Sequence, residues 1–256
     1  MGLWFDPARA QAFGGFRAQT AARFYGVVTR LARCLDVEVE GLEHVPAGRA
    51  LIVANHAFGF DVAFAIGAIR ARTGREVFVL GEHLFFRVPL VRGFAARVGT
   101  VDGTNENADA LLSHDQLVLV LPGGMREAVK PRELRYRLLW GERYGFVRTA
   151  IRNQAPVVPL ATIGADDVFE FVGDAVARGR RVFAPLGVRG VPIPLPHRLH
   201  PHLRLRYVLG EPVAPTFPKE RAEDPAALRA LRRTIEGALH ELLDRELARR
   251  AHVSLA

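Results

Sequence analysis

Three short, unbroken apolar runs constrain the fold of this 256-residue chain more than any other feature. They lie at 50–54, 117–121 and 157–160. Runs of this kind are typical of strands that are buried on both faces of a sheet. Segments of helical length separate them, and strands that alternate with helices predict an α/β fold. We therefore expect a largely parallel central sheet flanked by helices.

The remaining elements complete this pattern. Short alternating or apolar segments predict further strands at 37–40, 76–80, 99–101 and 203–208. Helical spacing of apolar residues predicts helices at 8–35, 61–71, 88–98, 107–112 and 146–151, and a C-terminal helix that begins at Asp224-Pro225. The sequence shows no internal repeat and no linker. We expect a single domain, with residues 1–36 as an amphipathic N-terminal helix and residues 37–256 as the main body.

The chain is basic and rich in apolar residues, with a formal net charge of +8 and 49% hydrophobic residues. Lys130 and Lys219 are its only lysines, so arginine, which favours phosphate and carboxylate groups, supplies nearly all of the positive charge. The sequence has no helix-turn-helix or zinc-finger spacing, which argues against nucleic acid as a partner. Arginines and aromatic residues along the helix at 8–35 favour an anionic membrane surface instead. A helix packed on the domain with a solvated face fits the same pattern.

Other features favour a peripheral protein at the cytoplasmic face of a membrane. Residues 1–7 lack the basic start and the apolar core of a signal peptide. Residues 50–69 have the length of a membrane span, but polar residues interrupt them at the middle, so we expect no span. The proline-rich segment 185–201 is a further candidate for lipid contact. The one cysteine, Cys34, excludes an internal disulfide and is expected to pack as a small apolar residue.

The segment from Asn55 to Asp61 follows the first buried run and carries the strongest functional signal. His56 stands at the expected strand end, and Asp61 follows five residues later. A carboxylate that holds one ring nitrogen of a histidine lets the other nitrogen take a proton from a hydroxyl, so the pair can act as a general base. A structural histidine with a helix-capping aspartate is the alternative interpretation.

The serines of the chain argue against a serine hydrolase. Only Ser113 and Ser254 are present, and neither lies in a G-x-S-x-G turn. A thiol nucleophile is also disfavoured, because no motif surrounds the single cysteine. As a base, His56 would therefore activate the hydroxyl of the substrate itself, in a direct transfer of a group to an alcohol.

A second candidate loop, residues 122–127, follows the buried run at 117–121. Gly123 and Gly124 let a ligand approach the backbone and can offer amide donors, and Arg126 can hold a phosphate or carboxylate. A simple turn is the alternative interpretation of Pro-Gly-Gly. Strand ends line the ligand crevice in an open α/β sheet, so we expect this loop and the His56 loop to form one site.

Four blocks, in order, resemble the glycerolipid acyltransferase superfamily and cover about residues 40–170. They are the N-H-x4-D block at 55–61, the segment 97–102, Pro-Gly-Gly-x-Arg-Glu at 122–127 and Pro-Val-Val-Pro-Leu at 156–160. The resemblance implies that His56 is the general base, that Asp61 orients it, and that residues 37–256 form the acyltransferase domain. It also implies an acyl thioester donor, either acyl-coenzyme A or an acyl carrier protein. The acceptor would be the hydroxyl of a glycerolipid or other lipid alcohol, with no cofactor and no metal.

The two loops also supply the candidate substrate-binding residues. They would be Asn55, Gly123, Gly124, Arg126 and Glu127. Amides near Gly123 and Gly124 would stabilise the oxyanion of the reacting carbonyl. Arg126 would bind the phosphates of coenzyme A or the head group of the acceptor, with Glu127 holding Arg126. A surface ion pair between Arg126 and Glu127 is the alternative interpretation.

Two departures from the family pattern concern the acceptor. Enzymes that acylate lysophosphatidic acid usually carry a glutamate where this chain has Gly123 and an arginine where it has Gly103. The loss of that arginine weakens the prediction of a phosphate on the acceptor. The blocks are similar to those of the diacylglycerol acyltransferase and phytyl-ester synthase branch, which implies a neutral or long-chain alcohol.

Three other functions are compatible with these residues. A thioesterase or esterase would use the same His56 and Asp61 to activate water. A non-catalytic lipid-binding protein at the membrane surface would keep the fold but would need neither side chain. A metal hydrolase would take ligands from His44, His56, His83 and Asp61, but their spacing matches no metal motif.

Overall fold

The structure, a computed structural model, describes residues 15–57, 62–86, 89–168 and 204–253. The strands within these residues are β1 (Val37–Glu40), β2 (Ala50–Ala54), β3 (Val77–Gly81), β4 (Thr100–Asp102), β5 (Leu117–Val120), β6 (Val157–Ile163) and β7 (Leu205–Leu209). They form one sheet in the order β1-β7-β6-β2-β5-β3-β4. Neighbours are parallel except β6 and β7, which are antiparallel. The expected α/β fold with a largely parallel central sheet is confirmed.

Helices cover both faces of this sheet. Within the described residues they are α1 (Ala18–Cys34), α2 (Ala63–Thr73), α3 (His83–Phe86), α4 (Pro89–Arg97), α5 (Asn105–Ser113), α6 (Gly124–Ala128), α7 (Gly145–Asn153), α8 (Ala165–Val168) and α9 (Pro225–Val253). Single 3-10 turns lie at Leu42–His44, Arg132–Leu134 and Lys219–Arg221. The longer helices match the expectation with shifted ends. The short helices α3, α6 and α8 were not predicted, because four or five residues carry too little helical periodicity.

The apolar runs form the centre of the sheet because each is covered on both sides. Every residue of β2 and β6 is buried. Leu51 and Val53 pack in the cluster that includes residues of α5, α7 and α9. Ile52 and Ala54 pack in the opposite cluster, with residues of α1 and α2. Side chains alternate between the two faces of a strand, so a strand covered by helices on both faces must be apolar throughout.

The order of the strands brings the two candidate loops to one edge of the sheet. β2 lies between β5 and β6, and it is parallel to both. Val53 pairs with Val120, so both strands end at the same level. The chain that leaves β2 therefore emerges beside the chain that leaves β5, as expected from the sequence.

Helix α1 carries two separate apolar stripes. Ala21, Tyr25 and Val28 are buried against the domain. A second stripe is rotated from the first by roughly 120° at 3.6 residues per turn. It faces solvent and consists of Val27, Leu31, Cys34 and Leu35, whose aliphatic members are 52%, 49% and 49% exposed. The expectation that Cys34 is packed is therefore wrong, because Cys34 lies on the outer stripe.

The remaining parts of the N-terminal and loop predictions are limited by the described residues. Arg17 is extended and precedes the first turn of α1, so the helix begins at Ala18 rather than continuing through Phe16. The earlier part of the expected helix, before residue 15, lies outside the described residues, and so does the segment 185–201. Within the ranges that the structure covers, no helix is long and apolar enough to cross a bilayer.

Candidate active site

His56 lies two residues after the end of β2, and the side chain of the intervening Asn55 fixes the point where the strand ends. Asn55 is fully buried. Its Nδ2 donates to the carbonyl of Thr162 at 3.0 Å, and its Oδ1 accepts from the amide of Thr162 at 2.7 Å. The side chain therefore pairs with β6 as strand backbone would. Both polar ends of Asn55 thus have partners within the protein, and its contact with substrate stays a prediction.

The carboxylate of Glu127, in α6, holds the His56 loop from inside the protein. Glu127 is fully buried. Its Oε1 accepts from the amide of His56 at 2.6 Å, and its Oε2 accepts from the amide of Leu139 at 2.9 Å. Both oxygens of Glu127 therefore act as acceptors, which suits the carboxylate form.

The environment of Glu127 also opposes its ionisation. Burial raises the pKa of the Glu127 carboxyl above its ordinary value. The two amide hydrogen bonds and the charge of Lys130 act in the opposite direction and offset part of this rise. Desolvation therefore favours the neutral carboxyl, whereas the two amides and Lys130 favour the carboxylate form.

Lys130 binds the other side of the same loop. Its Nζ donates to the carbonyl of His56 at 2.6 Å and to the carbonyl of Glu127 at 3.3 Å. It also forms an ion pair of 2.7 Å with Oδ1 of Asp166, and these two side chains are only 2% and 5% exposed. The three protons of the ammonium group thus meet three acceptors.

The network continues from Asp166 to the C-terminal helix. Oδ2 of Asp166 accepts from the amide of Tyr136 at 2.7 Å. The hydroxyl of Tyr136 donates to Asp167 at 2.7 Å and accepts from the amide of Gly164 at 3.1 Å. Arg250 of α9 pairs with Asp167 as well. The loop that follows β5 is thereby attached to the end of β6 and to α9.

The glycine loop after β5 is shaped by its neighbours. A Cβ at position 123 would lie 2.0 Å from Oε2 of Glu127, so the carboxylate requires a glycine there. Gly124 has a φ of +51°, and a Cβ on it would meet Arg143 and Glu82. The amide of Gly124 donates to the carbonyl of Leu121 at 3.0 Å. This bond occupies one of the two amides that were expected to face an oxyanion.

Arginine side chains lie on the outer side of this loop. Arg126 is exposed, and its Nη1 lies 3.6 Å from where a Cβ on Gly141 would be. Arg143 donates to the carbonyl of Pro122 at 2.9 Å. Since Glu127 points inward to backbone amides, it neither holds Arg126 nor forms the surface ion pair that was the alternative. Arg126 lies exposed at the rim of the loop.

The other expected side chains lie apart from this cluster or outside the described residues. His56 is half-buried. Asp61 falls outside the residues that the structure describes, so its contact with the His56 ring stays a prediction. His44 contacts the carbonyl of Leu209 through Nδ1, and His83 pairs with Asp102. Across the described ranges, no three His, Cys, Asp or Glu side chains are grouped as a metal site would require.

Sequence reasoning missed three members of the buried network, namely Lys130, Tyr136 and Asp166. One signal was available for Lys130, because the chain uses lysine at only two positions. Tyr136 belongs to the segment Tyr136-Arg137-Leu138, which is similar to the diacylglycerol acyltransferase and phytyl-ester synthase branch, but its contacts were not predicted, and Asp166 carries no signal in the sequence. Their roles depend on contacts between segments that are about 30 residues apart.

Comparison with known proteins identifies the family. The family model described as Acyltransferase matches residues 36–163, which is half of the chain and includes both loops. The chain belongs to the acyltransferase family. The solved structure of the 1-acyl-sn-glycerophosphate (LPA) acyltransferase PlsC from Thermotoga maritima has the same fold, with a TM-score of 0.50 and 18% identity over 92% of this chain and 84% of that one.

Curated relatives are similar over most of the chain. The "DGAT1/2-independent enzyme synthesizing storage lipids" of Mus musculus is 31% identical over 74% of this chain and 56% of its own length. An uncharacterised protein of Mycobacterium tuberculosis is 30% identical over 85% of this chain and 63% of its own length. The chain therefore spans less than two thirds of the length of these curated relatives.

Asn55 provides a test of the strand-end geometry. Replacing Asn55 with Ala leaves the buried amide and carbonyl of Thr162 without partners, and each unsatisfied group costs about 1–3 kcal/mol. We expect the free energy of unfolding, measured by urea denaturation, to fall by a few kcal/mol. The control is Asn105→Ala at an exposed position, which should change it by less than about 0.5 kcal/mol. Equal effects of the two substitutions would contradict the pairing of Asn55 with β6.

The raised pKa of Glu127 predicts a pH dependence of stability. A carboxyl whose pKa is higher in the folded state binds more protons there than in the unfolded state. Its stabilisation is complete below the ordinary glutamate pKa and is lost as the pH rises through the raised value. Glutamine cannot titrate, so the stability of the wild type relative to Glu127→Gln should decline across this window. Urea denaturation at a series of pH values measures it, and a difference that is constant or grows with pH contradicts the shift.

Proposed function

We propose that this acyltransferase transfers a fatty acyl group from an acyl thioester to the hydroxyl of a glycerolipid or other lipid alcohol. The observation that supports it most is the position of His56. The residue lies half-buried at the end of a central strand, beside the glycine loop of a chain that matches the acyltransferase family from 36 to 163. Chemistry in open parallel sheets takes place at this edge.

The proposed reaction requires no enzyme nucleophile. Asp61 orients the His56 ring through one nitrogen, and the other nitrogen removes the proton of the acceptor hydroxyl as its oxygen attacks the thioester carbonyl. A new C–O ester bond forms, the C–S bond breaks, and the proton passes from His56 to the departing thiolate. General-base assistance of this kind is typically worth about 10²- to 10⁴-fold in rate.

Two substrate contacts are part of the proposal. Arg126, exposed at the rim of the loop, binds the phosphates of the donor, either coenzyme A or the carrier-protein prosthetic group. Gly123 offers its amide to the oxyanion, while Gly124 contributes the turn because its amide is bonded to Leu121. The reaction as proposed uses no cofactor and no metal.

A neutral lipid alcohol is the acceptor that we propose. A Cβ at Gly103 would lie 2.8 Å from the carbonyl oxygen of Gly81, so the backbone of β3 occupies the space that a side chain would need. Enzymes that acylate lysophosphatidic acid usually carry an arginine at the position of Gly103. In this protein an arginine side chain would not fit there unless the backbone shifted. Relatives named for the synthesis of storage lipids support the same choice.

The outer stripe of α1 supports a peripheral position on an anionic membrane. Val27, Leu31 and Leu35 are about half exposed, and Phe94 of α4 is 47% exposed as well. Exposed arginines flank these apolar side chains, at positions 23, 30, 33, 92 and 97. Apolar contact with lipid chains and attraction to anionic head groups would act together. We propose residues 1–36 as this membrane segment, residues 37–256 as the acyltransferase domain, and the cytoplasmic face as the location.

Activity with a panel of acceptors tests the reaction. Purified protein is given acyl-coenzyme A with diacylglycerol, a long-chain alcohol, lysophosphatidic acid or no acceptor, and the products are identified by mass. We expect ester formation that depends on a neutral acceptor. His56→Ala should lower the turnover by roughly 10²-fold or more, whereas the control His114→Ala, at an exposed histidine, should not change it.

The same assay separates the alternatives. If free fatty acid is released without any acceptor, and this release is lost in His56→Ala, the protein is a thioesterase and the proposed transfer is wrong. Ester formation from lysophosphatidic acid alone would keep the transferase and overturn the neutral acceptor. No turnover on any acceptor, together with lipid binding that is unchanged by His56→Ala, would favour a non-catalytic lipid-binding protein.

Vesicle binding tests the membrane proposal. Replacing Val27 and Leu31 together with Ser removes aliphatic surface from the outer stripe, and we expect binding to phosphatidylglycerol vesicles to weaken roughly tenfold or more. The control is Leu134→Ser, at a residue that is 38% exposed elsewhere on the protein. Sedimentation with vesicles measures the bound fraction, and equal binding of both variants would contradict an interface on α1.

A further inference from the structure

We propose that Glu127 and Lys130 are positioning residues for His56, and that together they fix its backbone so that the imidazole is aimed at the substrate. Glu127 binds the amide of His56, and Lys130 binds its carbonyl. The inference rests on the proposed role of His56 as the base. It adds two residues that act through His56 and do not touch substrate.

The geometry of the two contacts is the first argument. The amide of His56 belongs to the peptide plane that precedes its Cα, and the carbonyl belongs to the plane that follows it. Peptide groups are planar, so the backbone of a residue is defined by the two dihedrals that relate these planes. Holding one plane through Glu127 and the other through Lys130 fixes both dihedrals. The direction of the Cα–Cβ bond of His56 is then fixed, although His56 lies in a loop.

The chemistry of the two side chains is the second argument. The three acceptors around Nζ are the carbonyls of His56 and Glu127 and the carboxylate of Asp166. A compact ammonium group suits three acceptors around one point, whereas the planar fork of arginine does not. The chain has 35 basic residues and only two lysines, yet this buried position is one of them.

Energetics provide the third argument. Taking a charged group out of water costs several kcal/mol, and well-packed apolar residues of similar size are often as stable as a buried ion pair. Glu127, Lys130 and Asp166 are all buried. Stability alone therefore does not account for three charged groups at this place. A precise backbone geometry at His56 does, because a misplacement of about 1 Å can cost 10²-fold in rate.

The test uses the full chain with histidine labelled by ¹⁵N, so that the amide of each histidine gives one signal. The His56 signal is assigned by its loss in His56→Gln. In the wild type we expect strong protection of this amide from hydrogen exchange, comparable to amides within the sheet. Exchange as fast as that of an exposed loop would overturn the proposal without any further variant.

Two substitutions then remove the contacts with His56, one on the amide side and one on the carbonyl side. Lys130→Met removes the charge and donors with similar length, and Glu127→Gln replaces one acceptor oxygen by a donor. For each folded variant we expect the His56 signal to shift and its exchange to accelerate, while the signals of His44 and His114 stay in place. The matched control is Lys219→Met, at the other, exposed lysine, and it should leave all signals unchanged.

Turnover measurements complete the design. The two variants should lose kcat by roughly 10²-fold, with the KM of the thioester changed less than about threefold, because neither residue contacts substrate. A folded Lys130→Met with a wild-type His56 signal and kcat would overturn the proposal. An inactive wild type would instead contradict the proposed function. The amide measurements would still decide whether Glu127 and Lys130 hold the backbone of His56.

Discussion

The candidate site depends on one interaction, the buried carboxylate of Glu127 between the amides of His56 and Leu139. This contact joins the loop after β2 to the loop after β5 and to the segment that follows it. It also explains the glycine at 123, because a side chain there would overlap the carboxylate. The charge is expensive to bury, and the two amide donors together with nearby Lys130 offset part of that cost.

The parallel sheet makes this contact possible. β2 and β5 are neighbours of the same direction and end at the same level, so the chain after each strand emerges at one edge. Asn55 then pairs with β6 and ends the strand at a defined residue. His56 is consequently attached on three sides, through Asn55, Glu127 and Lys130, while the residue remains half-exposed. The backbone of His56 is thus held by hydrogen bonds, although the residue is only half-buried.

The sequence was sufficient for the fold and for the meeting of the two candidate loops, but not for the contacts inside them. Apolar runs such as 117–121 predict buried strands because a strand covered on both faces has no polar position. The partners of Asn55 and Glu127 were beyond reach, since these contacts join residues 107 and 71 positions apart and leave no local pattern. Motifs show which side chains matter and not what they touch, so these partners were not predicted. Cys34 was misplaced for a related reason, because α1 has two apolar stripes and only packing decides which one is buried.

A crystal structure of the protein with a thioether analogue of acyl-coenzyme A tests the role of His56 most directly. In the analogue, a methylene carbon takes the place of the thioester carbonyl carbon. We predict that this carbon lies near the His56 ring, with space between them for an acceptor oxygen at about 3–3.5 Å from the carbon, the distance between reacting atoms. We also predict that Glu127 and Lys130 hold the two peptide groups of His56 with the analogue bound. An analogue bound away from His56, or a Glu127 carboxylate turned towards the ligand and away from the His56 amide, would contradict this role.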